Sequence, residues 1–428
     1  MMVRMDQLIR AIGVSLDMVE GDLFGVCTNH GKRVAVLCAA MGRRLGMDEA
    51  SIAGLAACAL FHDSALTEYL QYKSDPKNKA GLYLHCIYGQ RNVDLLPMAC
   101  DVSGFVLYHH ERADGTGGFG RKEGEFPLGA ALIAAADVLD QANRLQSVPR
   151  SNLEKLRARV AAESGRAFTR SAAEAMCGAL AGDTLEQLRD EHIRDTVERM
   201  IPPWFVGVED AAVFRLAALT ARIIDYKSRF TGQHSTQIAN RAWLMGGVCN
   251  YEPVHRAQLY LAAALHDLGK LSTPLSILEK PGSLTDEEFA VIKEHVRGTH
   301  DLLVDVDGFG DICTWAAAHH EKLDGSGYPF GKSAGDLDFN GRLLACLDIY
   351  QGVSETRPYH ASRGHKETME ILDGMACRGL VDGDIVREMD RCMAEYSDRQ
   401  LPPPPPASEA VDAVLGGLPR PLPGPLKR

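Results

Sequence analysis

Apolar residues recur at three- and four-residue intervals along most of this chain. The pattern is clear from Arg33 to Leu45 and in its counterpart from Thr236 to Met245, and again over Ile52–Phe61 and Gln258–Leu265. That period predicts helices that bury one face or more. Strict alternation is scarce, so the expected fold is all-α, two helical bundles in tandem. Residues 151–199 continue the helical pattern and are expected to close the first bundle. The pattern breaks at Ile201-Pro202-Pro203-Trp204-Phe205, because proline removes a donor and disfavours helix in the residue before it. It breaks again at Leu401, which five prolines follow. The expected domains are therefore 1–204 and 205–400, with 401–428 as a Pro-rich, disordered tail.

Set against this pattern, one string of polar residues is written twice. The second half carries His234, His266-Asp267, His295, His319-His320 and Asp348. The first half carries His30, His62-Asp63, His85, His109-His110 and Asp137. The offsets are 204, 204, 210, 210 and 211, which is the mark of an internal duplication. Ten of the 15 histidines fall in these two sets. Imidazole and carboxylate together suit Fe, Mn or Zn, so each half is a candidate metal site.

Composition narrows the partners. A net charge of −11 with no basic tract argues against a nucleic-acid polymer. Eleven scattered cysteines without a C-x-x-C pair read as reduced core thiols of a reducing compartment. The first 25 residues interleave Asp6 and Asp17 with apolar positions, and no apolar run reaches about 18 residues. A cytoplasmic protein without a membrane partner is expected.

In the second half, the apolar helix Leu261–Leu265 runs into His266-Asp267, whose side chains leave adjacent edges of one rim. A carboxylate has two oxygens and can bridge two cations, which makes Asp267 the natural bridging ligand. The segments His266-Asp267-Leu268-Gly269-Lys270 and His319-His320-Glu321, followed by Asp324-Gly325-Ser326-Gly327-Tyr328-Pro329, closely resemble the HD-GYP family of cyclic-dinucleotide phosphodiesterases. His234-Ser235 after Phe230-Thr-Gly-Gln, and Asp348 followed by Arg357-Pro358-Tyr359, extend the resemblance over about residues 210–395.

The resemblance implies an all-helical fold and a centre of two or three metal ions, usually iron or manganese. It implies linearisation of cyclic di-GMP or 3′,3′-cyclic GMP-AMP. One ion would be held by His234, His266, Asp267 and Asp348, the other by Asp267, His295, His319 and His320. Three-metal members carry a Glu four residues before the first His. Phe230 stands there in this chain, so two ions and a linear dinucleotide product are expected. Lys270 is the expected catalytic cation beside Asp267, stabilising phosphate charge. Tyr328, Arg342 and Arg357 are the expected substrate contacts, with His360 where many members carry a basic residue.

Aligning the halves places Leu66 at the Lys270 position, Gly118 at Tyr328, Ala131 at Arg342 and Gln146 at Arg357. The first half is thus expected to be a degenerate copy that keeps metal ligands at His30, His62, Asp63, His85, His109, His110 and Asp137. It lacks the residues that handle substrate. The expected function is a metal-dependent phosphodiesterase for a cyclic dinucleotide, with contact between the two domains and room for a homodimer. Its rivals are a non-hydrolysing cyclic-dinucleotide receptor and a nucleotide hydrolase of the wider HD class.

Overall fold

A computed structural model describes residues 1–24, 28–66, 79–227, 233–355 and 362–396, with 401 and 404. The first half contains α1 (Met5–Phe24), α2 (His30–Arg44), α3 (Glu49–Leu60), α4 (Lys79–Val93) and α5 (Leu128–Asn143). Four shorter helices follow: α6 (Leu153–Ala162), α7 (Arg170–Ala179), α8 (Gly182–Gln187) and α9 (Asp190–Met200). The second half contains α10 (Ala211–Lys227), α11 (His234–Val248), α12 (Pro253–Leu265), α13 (Leu275–Leu278), α14 (Asp286–Leu303), α15 (Gly310–Ala316), α16 (Phe339–Ser354), α17 (His365–Cys377) and α18 (Gly383–Met393). The all-α expectation holds. Among the described residues the one sheet is a pair of three-residue strands, Met2–Arg4 antiparallel to Phe205–Gly207, with Val3 opposite Val206.

Local chemistry sets the helix starts. Asp48 caps α3 by accepting from the Ser51 amide at 2.7 Å. Thr285 and Glu288 form a capping box at α14, and Pro253 stands in the first turn of α12, where its missing N–H costs nothing. The helices α2 and α3, and likewise α11 and α12, pair as the innermost layer of each bundle, buried over most of their length. This layer is rich in Ala, so backbones approach closely. The α1 helix packs on α2 and α3 and also meets the turn Leu268–Ser272 and α14. The Pro-rich tail lies outside the described residues apart from Leu401 and Pro404. Leu401 is buried, its carbonyl accepting from Asn240 and its amide donating to Gln237.

Candidate metal centres

Each predicted ligand of the second half sits at the end or on the inner face of a core element. His234 opens α11, and Asp225 of α10 fixes that end by accepting from the amides of Ser235 (2.8 Å) and Thr236 (3.1 Å). His266 follows the last residue of α12, and Asp267 precedes a 3₁₀ turn, Leu268–Ser272. His295 and Asp348 lie on the buried faces of α14 and α16. His319 and His320 follow α15. All are buried except His320, which is partly exposed.

Asp267 stands at the middle. Its Oδ2 lies 3.1 Å from His266 Nε2 and 3.7 Å from His234 Nε2, while Oδ1 lies 3.2 Å from His295 Nε2 and 3.7 Å from His319 Nε2. Asp348 faces His234 Nε2 at 3.1 Å through Oδ1 and His320 Nδ1 at 3.4 Å through Oδ2. Two groups result, His234–His266–Asp348 and His295–His319–His320, each with donor atoms within 4.8 Å of one another. Asp267 lies between them, one oxygen toward each.

The hydrogen bonds around the rings fix which nitrogen is free. His266, His295 and His319 place Nδ1 2.5–2.8 Å from the carbonyls of Ala263, Ile292 and Ala316. A carbonyl only accepts, so each Nδ1 carries the proton and each Nε2 presents a lone pair. Yet His295 Nε2 and His319 Nε2 face each other at 3.2 Å. Two lone pairs so placed repel unless a cation stands between them. Buried His266 Nε2 and Asp267 Oδ1 have no hydrogen-bond partner. Buried polar atoms are rarely left so, and divalent ions are the partners this donor set fits.

The electrostatics favour neutral imidazoles at His319 and His320 and a charged one at His234. Burial, helped by the charges of His295 and Lys270 and opposed by Asp348, leaves His320 lowered to about 3, and burial beside His320 and His266 pushes His319 well down. Burial also disfavours a charged His234, but hydrogen bonds to Asp348 and to Glu355 raise it to about 9. Burial opposes the charge on Asp267, and the charges of His266 and Lys270 more than offset it, holding that carboxyl well below its usual range.

The turn after Asp267 is held by contacts only glycine allows. A Cβ on Gly269 would overlap the His295 carbonyl. Its amide donates to Thr299 Oγ1 at 2.9 Å, and that hydroxyl donates to the His266 carbonyl at 2.9 Å. Lys270 is thereby directed inward, its Nζ 2.5 Å from Asp267 Oδ2. The loop carrying Tyr328 wraps the buried Glu321 carboxylate, which accepts from the amides of Phe330 (2.8 Å) and Lys332 (2.9 Å). Gly327 lets the loop close on Glu321 Cα. The Tyr328 ring lies 4.9 Å from that of His320 and 6.4 Å from Phe289. Burial, with Asp348 and Asp267 nearby, raises the Tyr328 hydroxyl well above its ordinary range. Arg342 donates to Asp382 (3.1 Å) and to the carbonyls of Leu337 (3.0 Å) and Ala334 (2.6 Å). Arg357 and His360 lie outside the described residues, as does Phe230.

The first half repeats this geometry with looser spacing. Asp63 lies 3.5 Å from His62 Nε2 and 3.4 Å from His85 Nε2, and Asp137 lies 3.1 Å from His30 Nε2. His62 and His109 donate Nδ1–H to the carbonyls of Ala59 and Val106, and buried His62 Nε2 has no hydrogen-bond partner. Burial and neighbouring imidazoles lower His85 to about 4, His109 to about 3 and His110 to about 4. Asp17 of α1 caps α2 at the Gly31 amide (2.7 Å), as Asp225 caps α11. Leu66, at the Lys270 position, is buried. At Gly118 a Cβ would overlap the Tyr83 ring, so Tyr83 covers the place that corresponds to Tyr328.

Several contributors carry no motif. Glu355 lies 3.0 Å from His234 Nδ1, and Asp140 lies 2.7 Å from His30 Nδ1 while also accepting from Arg33 Nε at 2.8 Å. They follow Asp348 and Asp137 by seven and by three residues, spacings that return to one helix face. The duplication hides them, because the two copies place the carboxylate differently. Glu321 and Glu111 are matched in both copies and were legible as a constant in the repeat.

Comparison with known proteins agrees with this architecture. Models of the HD domain match residues 28–142 and 218–385. A 3′3′-cGAMP-specific phosphodiesterase 1 of Vibrio cholerae is 29% identical over 409 residues, covering 92% of this chain and 93% of that protein. A cyclic di-GMP phosphodiesterase of the same organism is 39% identical over 127 residues, 28% of this chain and 26% of that protein. A crystal structure of a V. cholerae cyclic GMP-AMP-specific phosphodiesterase superposes with a TM-score of 0.65 at 19% identity, covering 92% of this chain and 98% of that one. The chain is a tandem HD-domain protein. Within that class it belongs to the HD-GYP family, whose sequence marks are confined to its second domain.

Proposed function

We propose that the second HD domain hydrolyses a cyclic dinucleotide, cyclic di-GMP or 3′,3′-cyclic GMP-AMP, to the linear dinucleotide. The observation that carries this reading is Asp267, whose two oxygens each face a separate group of imidazole nitrogens, His266 and His234 on one side and His295 and His319 on the other. Two divalent ions, Fe or Mn by donor type, would be held by His234, His266, Asp267 and Asp348 on one side and by Asp267, His295, His319 and His320 on the other. Bound there, they supply Lewis acidity toward the phosphate and acidify water.

The chain's own groups do the rest. Lys270, one turn from His266, offers its ammonium to the growing negative charge. Tyr328 presents a protonated hydroxyl and an aromatic face at the rim beside His320, where a base can stack. Arg342 ties the loop that follows Tyr328, through the Leu337 and Ala334 carbonyls, to Asp382, and Arg357 is assigned to substrate phosphate by its place in the sequence alone. A relative that spans both domains is cGAMP-specific, while cyclic di-GMP phosphodiesterases match 28–47% of the chain. That contrast supports 3′,3′-cyclic GMP-AMP as a substrate.

The first domain is assigned a metal-binding role without hydrolysis. Its ligand set supports the first part of this, and Leu66 and Gly118 support the second. Contact with the second domain is supported by Arg222 donating to Asn92 Oδ1 at 2.9 Å and by the Leu275 amide donating to Asp22 at 3.1 Å. Hydrolysis of both cyclic dinucleotides by the metal-loaded full chain, with metal content measured, tests the assignment. Tight binding of either compound without turnover would replace the enzyme with a receptor.

A further inference from the structure

The two copies differ at one position where a difference changes metal chemistry. Cys86 of α4 corresponds to Val296 of α14, and both are fully buried. In the second domain the outer group of donors is His295, His319 and His320. In the first it is His85, Cys86, His109 and His110, with all four donor atoms within 4.8 Å of one another. A second observation points to a ligand there. The Nε2 atoms of His85 and His109 face each other at 3.4 Å, and in the adjoining group with His30 and Asp137 the enclosed Nε2 of His62 has no hydrogen-bond partner.

The spacings suit a particular ion. Zinc bonds of about 2.0–2.1 Å to nitrogen and about 2.3 Å to sulfur give tetrahedral edges of roughly 3.3–3.6 Å. His85 Nε2 to His109 Nε2 is 3.4 Å, and Cys86 Sγ to His85 Nε2 is 3.7 Å. We propose that Cys86 is a metal ligand, and that with His85, His109 and His110 it forms a closed three-nitrogen, one-sulfur site for a thiophilic divalent cation such as Zn2+. Binding releases the thiol proton to solvent and leaves the thiolate on the metal. Four protein donors fill a tetrahedral shell and leave no position for water or phosphate. The first domain is then a structural metal site built on a catalytic plan, while the all-imidazole and carboxylate centre of the second keeps its affinity for harder ions.

This inference rests on the reading that the first domain holds metal, and the experiment separates the two. The full chain is stripped with a chelator and titrated with Co2+, whose thiolate complexes show a charge-transfer absorption that imidazole–carboxylate complexes lack. Wild type should show that band, His266→Ala should keep it, and Cys86→Val should lose it. Valine already fills the matching place in the second domain, and Cys86→Ser should lose the band equally if the valine variant folds poorly. Cobalt lost in His109→Ala without any thiolate band in wild type would overturn the sulfur ligand while leaving a metal in the domain. No cobalt lost in His109→Ala would overturn both. A band that survives in Cys86→Val belongs to another of the eleven cysteines and overturns the proposal.

Discussion

Glu355 Oε1 lies 3.0 Å from Nδ1 of His234, so a carboxylate orients the first histidine of the second domain. The other three rings with a backbone anchor are fixed by their own chain three residues back. Glu355 is thus the partner that mutation can remove. Such partners typically contribute about 10–100-fold to metal affinity. Glu355→Ala should weaken metal binding by about that factor, and Glu355→Gln, which can still accept, should restore part of it. Metal titration by calorimetry measures both.

The division of labour between the domains predicts unequal effects of equal substitutions. Asp267→Asn should reduce hydrolysis to background, because one neutral amide cannot bridge two cations. Lys270→Met should cost about 10²–10³-fold in kcat, the usual loss when one charge-stabilising donor is removed. His62→Ala and Asp63→Ala should spare most of the turnover. Equal loss in both domains would show that the two centres act as one.

Tyr83 occupies the side of Gly118 where a side chain would project. Gly118→Ala should therefore destabilise the first domain by about 1–3 kcal/mol, the usual cost of overpacking. Tyr83→Ala should make the same substitution nearly neutral. A double-mutant cycle in urea measures the coupling, and additive effects would place Tyr83 elsewhere.

Lys227 is almost wholly buried, donating to the Leu271 carbonyl at 2.5 Å, with Asp22 at 3.9 Å. Burial lowers its ammonium from 10.5 to about 8, with Asp22 opposing. Below about pH 8 the group is charged in both folded and unfolded chains. Between about 8 and 10.5 the unfolded chain binds a proton that the folded chain has lost, so stability rises with pH across that window. Lys227→Met should flatten this part of the profile. Urea midpoints at about pH 8 and about pH 10 for both proteins would show it, and parallel profiles would reject it.

Much of this was legible before any coordinates. The helical period gave the architecture, and the doubled His and Asp string picked out the residues that Asp267 and Asp63 gather. The residues that hold those ligands were not legible. Asp225 and Asp17 cap the ligand helices from a preceding helix at different distances in sequence, so no constant offset reveals them. Glu355 and Asp140 serve one purpose from different turns of a helix. Cys86 looked like any core thiol, because its meaning depends on three histidines that only folding brings beside it. Phe205, the last residue of the break in the helical pattern, opens a strand, Phe205–Gly207, because Met2–Arg4, two hundred residues earlier, supplies its partner.

The loops that follow the paired histidines hang on two buried carboxylates, Glu321 accepting from the amides of Phe330 and Lys332 and Glu111 from those of Phe119 and Arg121. Main-chain amides are indifferent to side-chain identity, so residues 328–332 and 118–121 are free to be rewritten without unfastening the loop. That arrangement makes the substrate rim an exchangeable cassette over a fixed ligand floor. Selection can then retune recognition, or abandon it, in one copy while the neighbouring copy continues to turn over substrate.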